Sequence, residues 1–173
     1  SVAATSTAYA AGQTTENESH AVIYRKRPGE DWGAMTVPQV PRLEGIRMFD
    51  DSYGIAVGAQ GTILRWTDQD GAWIAETSPT TEELYSVEFV ARDDWWIVGA
   101  HGTILHGDGE SWAQVTSPLP DFLLRRVRAT GSTVALGAAG AAAWELWICG
   151  DGGGLLHWNK LAHQWDVVPS STV

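Results

Sequence analysis

Short alternating and β-branched runs of roughly four to seven residues, bounded by Gly, Asp or Pro, recur along the chain and predict β-strands. No segment combines a 3.6-residue apolar period with helix caps, so helices are not expected. The runs repeat as a unit. Leu43-Glu-Gly-Ile-Arg-Met-Phe, Tyr53-Gly-Ile-Ala-Val-Gly58-Ala-Gln-Gly61-Thr-Ile-Leu-Arg-Trp and Asp70-Gly-Ala-Trp73 form one copy. Leu84-Tyr-Ser-Val-Glu-Phe, Trp95-Trp-Ile-Val-Gly99-Ala-His-Gly102-Thr-Ile-Leu-His-Gly and Asp108-Gly-Glu-Ser-Trp112 form the next. The last copy runs from Leu124-Arg-Arg-Val-Arg-Ala through Trp147-Ile-Cys-Gly150-Asp-Gly-Gly153 to Gln164-Trp165. Each closes on a strand and a proline, at Pro79, Pro118 and Pro169. A weaker copy opens the chain, with Ala10-Ala-Gly12, Ala21-Val-Ile-Tyr-Arg, Asp31-Trp32 and Val37-Pro38 in the corresponding places.

The closing tryptophans Trp32, Trp73, Trp112 and Trp165 lie 41, 39 and 53 residues apart. The long last interval contains the Gly/Ala tract Gly131–Ala143, where Val134–Gly140 also imitates the Gly-x-x-Gly turn. Each unit reads as four strands, A to D. Gly-x-x-Gly is expected to form a tight B–C hairpin with glycine supplying the positive φ, and Asp-Gly to turn C into D. Four strands per roughly 40–45 residues, repeated, predict an all-β fold: a β-propeller of about four four-stranded blades. The expected blades cover residues 1–38, 39–79, 80–118 and 119–169 of a single propeller domain, or propeller fragment, spanning 1–173. The first starts late. Aligning Gly12 with Gly99 puts Ser1–Ala3 at the end of strand A, and Ser170–Val173 are too few to replace it. Further blades of a larger propeller, a second copy of the chain, or a compact ring with a reduced first blade would each answer this, and the first is favoured.

Composition narrows the classes. Ten Trp and 44% hydrophobic residues exclude a disordered chain, and nineteen Gly with only 18% charged residues exclude a coiled coil. The net charge of −10 disfavours binding to nucleic acid or to anionic membrane. No apolar run approaches the roughly 20 residues of a membrane span, so no membrane insertion is expected. The opening SVAATSTAYAAG has neither a basic start nor an apolar core, so no signal peptide is expected there. The single Cys149 excludes an internal disulfide and is compatible with an exported, periplasmic or extracellular, protein.

The pattern L-x-x-V-x-F … W-x-V-G-x-x-G-T-I-L … D-G-x-x-W … S-P resembles the propeller repeats of the photosystem II stability/assembly-factor family and the related BNR (sialidase-type) repeats. The likeness runs from about Leu43 to Pro169 and implies a scaffold, lectin or hydrolase on a propeller. Two departures are visible. Asp108 to Trp112 spans four positions and Asp70 to Trp73 three, where a sialidase Asp-box has five. The resemblance to assembly factors implies a positive face, whereas this chain is acidic.

Candidate chemistry follows from repeat position. The closing Trp residues are expected to pack between blades with the indole N–H on a backbone partner. Strand alternation sends Trp95 and Trp96 to opposite faces, so one of them is a candidate for an exposed, sugar-stacking ring, but packing against the adjacent blade is the favoured reading. Trp144 and Trp147 lie on or beside the equivalent strand. Arg47, Glu88 and Arg128 share a position on strand A, conventionally the channel-lining strand. With Arg125 and Arg126 they are expected to form ion pairs between blades or to hold a small anion. The rim of B–C turns and D–A loops, carrying Gln60, His101, Asp151, Glu82, Glu83, Asp121 and Phe122, is the expected contact surface for a protein partner. Leu119 and Phe122 there offer an apolar contact or tuck under the blade edge. His106 and His157 share a position after strand C and read as packing residues, with no metal or other cofactor expected. Gly150–Gly154 lacks the Lys-Ser/Thr and the helix of a phosphate loop, and no Gly-x-Ser-x-Gly occurs. A non-catalytic, protein-binding propeller is therefore expected. A glycan-binding propeller is the alternative, and a sialidase-type hydrolase built on Arg47, Arg126, Arg128, Tyr85 and Glu88 a more distant one.

Overall fold

The computed structural model describes residues 7–14, 20–130 and 144–169. The expectations for Ser1–Ala3, for the tract Gly131–Ala143 and for Ser170–Val173 lie outside these residues. All fifteen strands among them pair in antiparallel sheets, and the chain divides into two compact units, Ser1–Leu84 and Tyr85–Val173.

The first unit holds two sheets. Strands β1 (Ala8–Gln13), β2 (Ala21–Lys26) and β3 (Gly33–Ala34) pair in the order β1-β2-β3. They correspond to B, C and D of the opening repeat. Strands β4 (Leu43–Asp50), β5 (Tyr53–Gly58), β6 (Ile63–Thr67) and β7 (Trp73–Ala75) form a complete sheet in chain order. Ala21, Ile23, Leu43, Ala56, Leu64, Trp66 and Trp73 make the core, sealed by Met35, Val37 and Met48.

The second unit repeats the arrangement. Strand β8 (Leu84–Ala91) leads into β9 (Asp94–Gly99), β10 (Ile104–Gly107) and β11 (Trp112–Val115). Then follow β12 (Leu124–Thr130), β13 (Glu145–Gly150), β14 (Leu155–Asn159) and β15 (Gln164–Val167). Val90, Trp96, Val98, Ile104, Leu124, Val127, Leu146, Ile148, Leu156 and Trp165 pack between the two sheets.

Three findings bear on the tryptophans, the first being the packing favoured for Trp95 and Trp96. Neither Trp95 nor Trp96 is exposed, at 1% and 3%. Trp95 meets Phe89 edge-on at 5.1 Å and donates its indole N–H to the Arg92 carbonyl at 2.7 Å. Trp96 lies among His106, Trp158 and Trp165, at 4.4, 4.8 and 5.4 Å between ring centroids. Second, Trp73 and Trp165 are buried as expected, but their indole N–H groups have no hydrogen-bond partner. Each sits cross-strand from another Trp (Trp66 and Trp158), with ring centroids 6.0 and 5.4 Å apart. Third, Trp32 is 49% exposed. It precedes the two-residue β3 and so falls outside the ladder that would seat it against a partner ring. In the third repeat Gly107 faces Trp112, whose ring covers the glycine at 2.6 Å from where a Cβ would stand.

Candidate functional site

The B–C turns show how the repeat builds its rim. In Gly58–Gly61, Gly99–Gly102 and Gly150–Gly153 the first glycine accepts no positive φ: Gly58 and Gly150 are extended, at φ −171 and −140. Glycine is needed there because a Cβ on Gly58 would stand 2.1 Å from the Arg42 carbonyl oxygen, and on Gly150 2.6 Å from that of Leu123. Positive φ falls on the third and fourth residues: Gln60 and Gly61, His101 and Gly102, Gly152 and Gly153. Each turn closes with the same two backbone bonds, from the first glycine to the residue four ahead and from that residue back to the second position. By this register Asp151 matches Ala59 and Ala100. The counterpart of Gln60 and His101 is Gly152, the third residue of Gly150–Gly153, so Asp151 stands one residue before the position expected of it.

Each turn is docked on the chain around it. The Gly61 N–H donates to the Glu82 carbonyl at 2.9 Å, and the Gly102 N–H to that of Phe122 at 2.7 Å. Glu82 and Phe122 thus contribute backbone to the rim. The Phe122 ring lies against Gly152 and Gly154 and, with Leu119, on the core of the second unit, so it tucks inward. Gln60, His101, Asp121 and Asp151 are exposed. At Gln60 and His101 the left-handed backbone costs a non-glycine residue about 1 kcal/mol, His bearing it somewhat better than Gln.

Charged side chains gather beside these turns. In the first unit Arg42 reaches Glu83 at 2.5 Å and Glu44 at 2.6 Å. In the second, Arg125 grips Asp151 through two bonds of 2.9 and 2.8 Å while its guanidinium lies 4.8 Å over the Tyr85 ring. The hydrogen bonds from Arg125 hold the Asp151 carboxyl below the usual carboxylate range. A β-bulge makes this possible. Pairing slips between Leu124 and Arg126, and between Leu43 and Gly45, so Arg125 and Glu44 are the extra residues that turn aside toward the rim.

Further along the same strands, Arg128 Nη1 meets Glu88 Oε2 at 2.9 Å. Glu88 is 2% exposed and its carboxylate also receives the Phe89 backbone N–H. Arg126 is exposed on β12, and Arg47 is exposed on β4 in the other unit.

One constellation escapes a reading of single residues. His106 bonds Asp94 at 3.0 Å while stacking on Trp96, and His157 bonds Glu145 while stacking on Trp147 at 4.4 Å. The signal was the shared spacing of twelve residues from acid to His, with Trp two after the acid. Among the described residues no group of three or more His, Cys, Asp or Glu is placed to hold a metal, and no helix is long and apolar enough to cross a membrane.

Comparison with known proteins bears on this geometry. No protein-family model matches the chain. The photosystem II assembly protein Ycf48 of Thermosynechococcus vestitus (strain NIES-2133 / IAM M-273 / BP-1) is 26% identical over 139 residues, covering 78% of this chain and 38% of the relative. A solved structure described as YCF48 bound to D1 peptide superposes with a TM-score of 0.61 at 22% identity, over 80% of this chain and 44% of that one. The chain is a β-propeller resembling Ycf48. It spans less than half the length of either Ycf48 chain.

Proposed function

We propose that the chain is a non-catalytic propeller module that binds a protein partner through the rim of B–C turns and D–A loops. The observation carrying this is the build of the rim: the backbones of the turns are anchored to the D–A loops, leaving the side chains of Gln60, His101 and Asp151 outward. Such tips present side chains from a rigid frame, which limits the entropy lost on binding. The solved Ycf48 structure, described as bound to D1 peptide, supports a polypeptide as the partner. Catalysis has no comparable support, since Glu88 is buried against Arg128 and Tyr85 lies under Arg125.

The test is a titration of the chain with a peptide of the D1 protein by calorimetry, beside affinity capture of partners on immobilised chain. Saturable binding, weakened by Gln60→Ala or Asp151→Ala, is expected. No binding of peptide or protein by folded chain would refute the reading.

A second reading, glycan binding, draws on Trp32. Trp32 is half-exposed, and its chain neighbours Asp31 and Gly33 line a pocket of about 220 Å³ with Arg25, Glu30 and Trp66, which puts hydroxyl-bonding groups next to it in the chain. Trp fluorescence that responds to a sugar panel, and ceases to in Trp32→Ala, would favour it.

A further inference from the structure

The rim of the second unit contains an open groove of about 420 Å³ between the third repeat's B–C turn and the end of β11. We infer that this groove is a peptide subsite taking an uncharged, extended segment of the partner, with His101 as its specificity residue. The inference rests on the protein-binding reading above and adds where one segment sits and what it is made of.

Chemistry of the lining points to backbone recognition. His101, Gln114, Val115, Thr116, Ser117 and Pro120 form the walls, and no Asp, Glu, Lys or Arg is among the described lining residues. In a chain of net charge −10, a rim groove walled by imidazole, amide and hydroxyl groups is matched to neutral donors and acceptors. Peptide amides are such groups. Val115, half-buried, supplies an apolar contact for an alternate side chain. Strand β11 ends its sheet, in the order β11-β10-β9-β8, and enters the groove wall with its last two residues, Gln114 and Val115, so an extended segment would lie against a strand end and the Thr116-Ser117 backbone that continues it.

The backbone at His101 adds an independent observation. It holds φ 48 where the fourth repeat has Gly152 at φ 65, and both turns close with the same backbone bonds. Glycine therefore satisfies this turn, and an imidazole is not what the turn requires. Strain kept at an exposed tip beside a groove is the arrangement expected of a contact residue.

A phage-displayed library of random peptides, panned on the immobilised full chain, supplies the probe. Enriched peptides are then measured by fluorescence anisotropy against the parent chain, His101→Gly, His101→Asn and Gln114→Ala, each with a thermal melt. Expected are peptides with an uncharged core, binding weakened about tenfold or more in both His101 variants, and melting within about 2 °C of the parent. Asn tolerates the left-handed backbone, so it separates loss of the imidazole from added flexibility. Enriched peptides indifferent to all three substitutions overturn the subsite while leaving a protein-binding rim intact. Strongly charged enriched cores overturn it too, as does a melting loss above about 5 °C in both His101 variants. Failure to enrich any peptide sinks the subsite alone if a protein is captured, and the whole reading if none is.

Discussion

At the scale of single residues, the rim is shaped by what each charged group finds within reach. Arg125 is spent on Asp151 and Tyr85, which makes Asp151 a better acid than a free aspartate. Its folded pKa lies below the ordinary value of about 3.9. The pair therefore stabilises the fold above that pH, and this contribution is lost as pH falls toward the lowered value. NMR titration of Asp151 should show a depressed midpoint that returns toward 3.9 in Arg125→Ala. Glu88 and Arg128 should couple in a double-mutant cycle by about 1–2 kcal/mol: Glu88 is buried, but nearly half of the Arg128 side chain is exposed to water. Chemical denaturation of the four proteins measures this. A coupling of zero would mean the bond is not formed in solution. Repeat position made Glu88 and Arg128 candidates for an ion pair, whereas residue type alone did not point Arg125 to Asp151.

Elements tell a different story, since the turns were legible before any contact was known. The repeat of Gly-x-x-Gly predicted a B–C connection, and one is found each time. Its mechanism differed because the first glycine answers a close approach by a distant carbonyl, which only folded neighbours supply. Gly61 combines both demands, at φ 71 with a Cβ position 1.9 Å from the Thr80 carbonyl oxygen. Gly61→Ala should cost about 3 kcal/mol. Gly12, with open space around it, should accept Ala within about 1 kcal/mol. Urea midpoints compare the two. Strand alternation left an exposed ring open at Trp95 or Trp96, because it assigns opposite faces without saying whether water lies on either; both rings are buried, the packing that was favoured.

Over the whole molecule, the excess of acids over bases sets a field that no single pair removes. At net charge −10 the folded chain repels itself, and screening should relieve that cost. Melting temperature is therefore expected to rise between low salt and physiological ionic strength, as calorimetry at neutral pH can show. A fall would mean that local ion pairs such as Arg42–Glu83 outweigh the net field.

What the sequence determined by itself was periodic: strand content, four-strand units, turn positions and the closing Trp. Those features recur because each copy solves the same local problem, so comparing copies exposes them without coordinates. Tertiary structure decided what periodicity averages away. It chose which Trp has a ring to pack on, left two indole N–H groups without partners, and turned Arg125 aside at a bulge. Each depends on atoms brought together from distant segments, where burial and hydrogen bonding are settled by packing rather than by order along the chain.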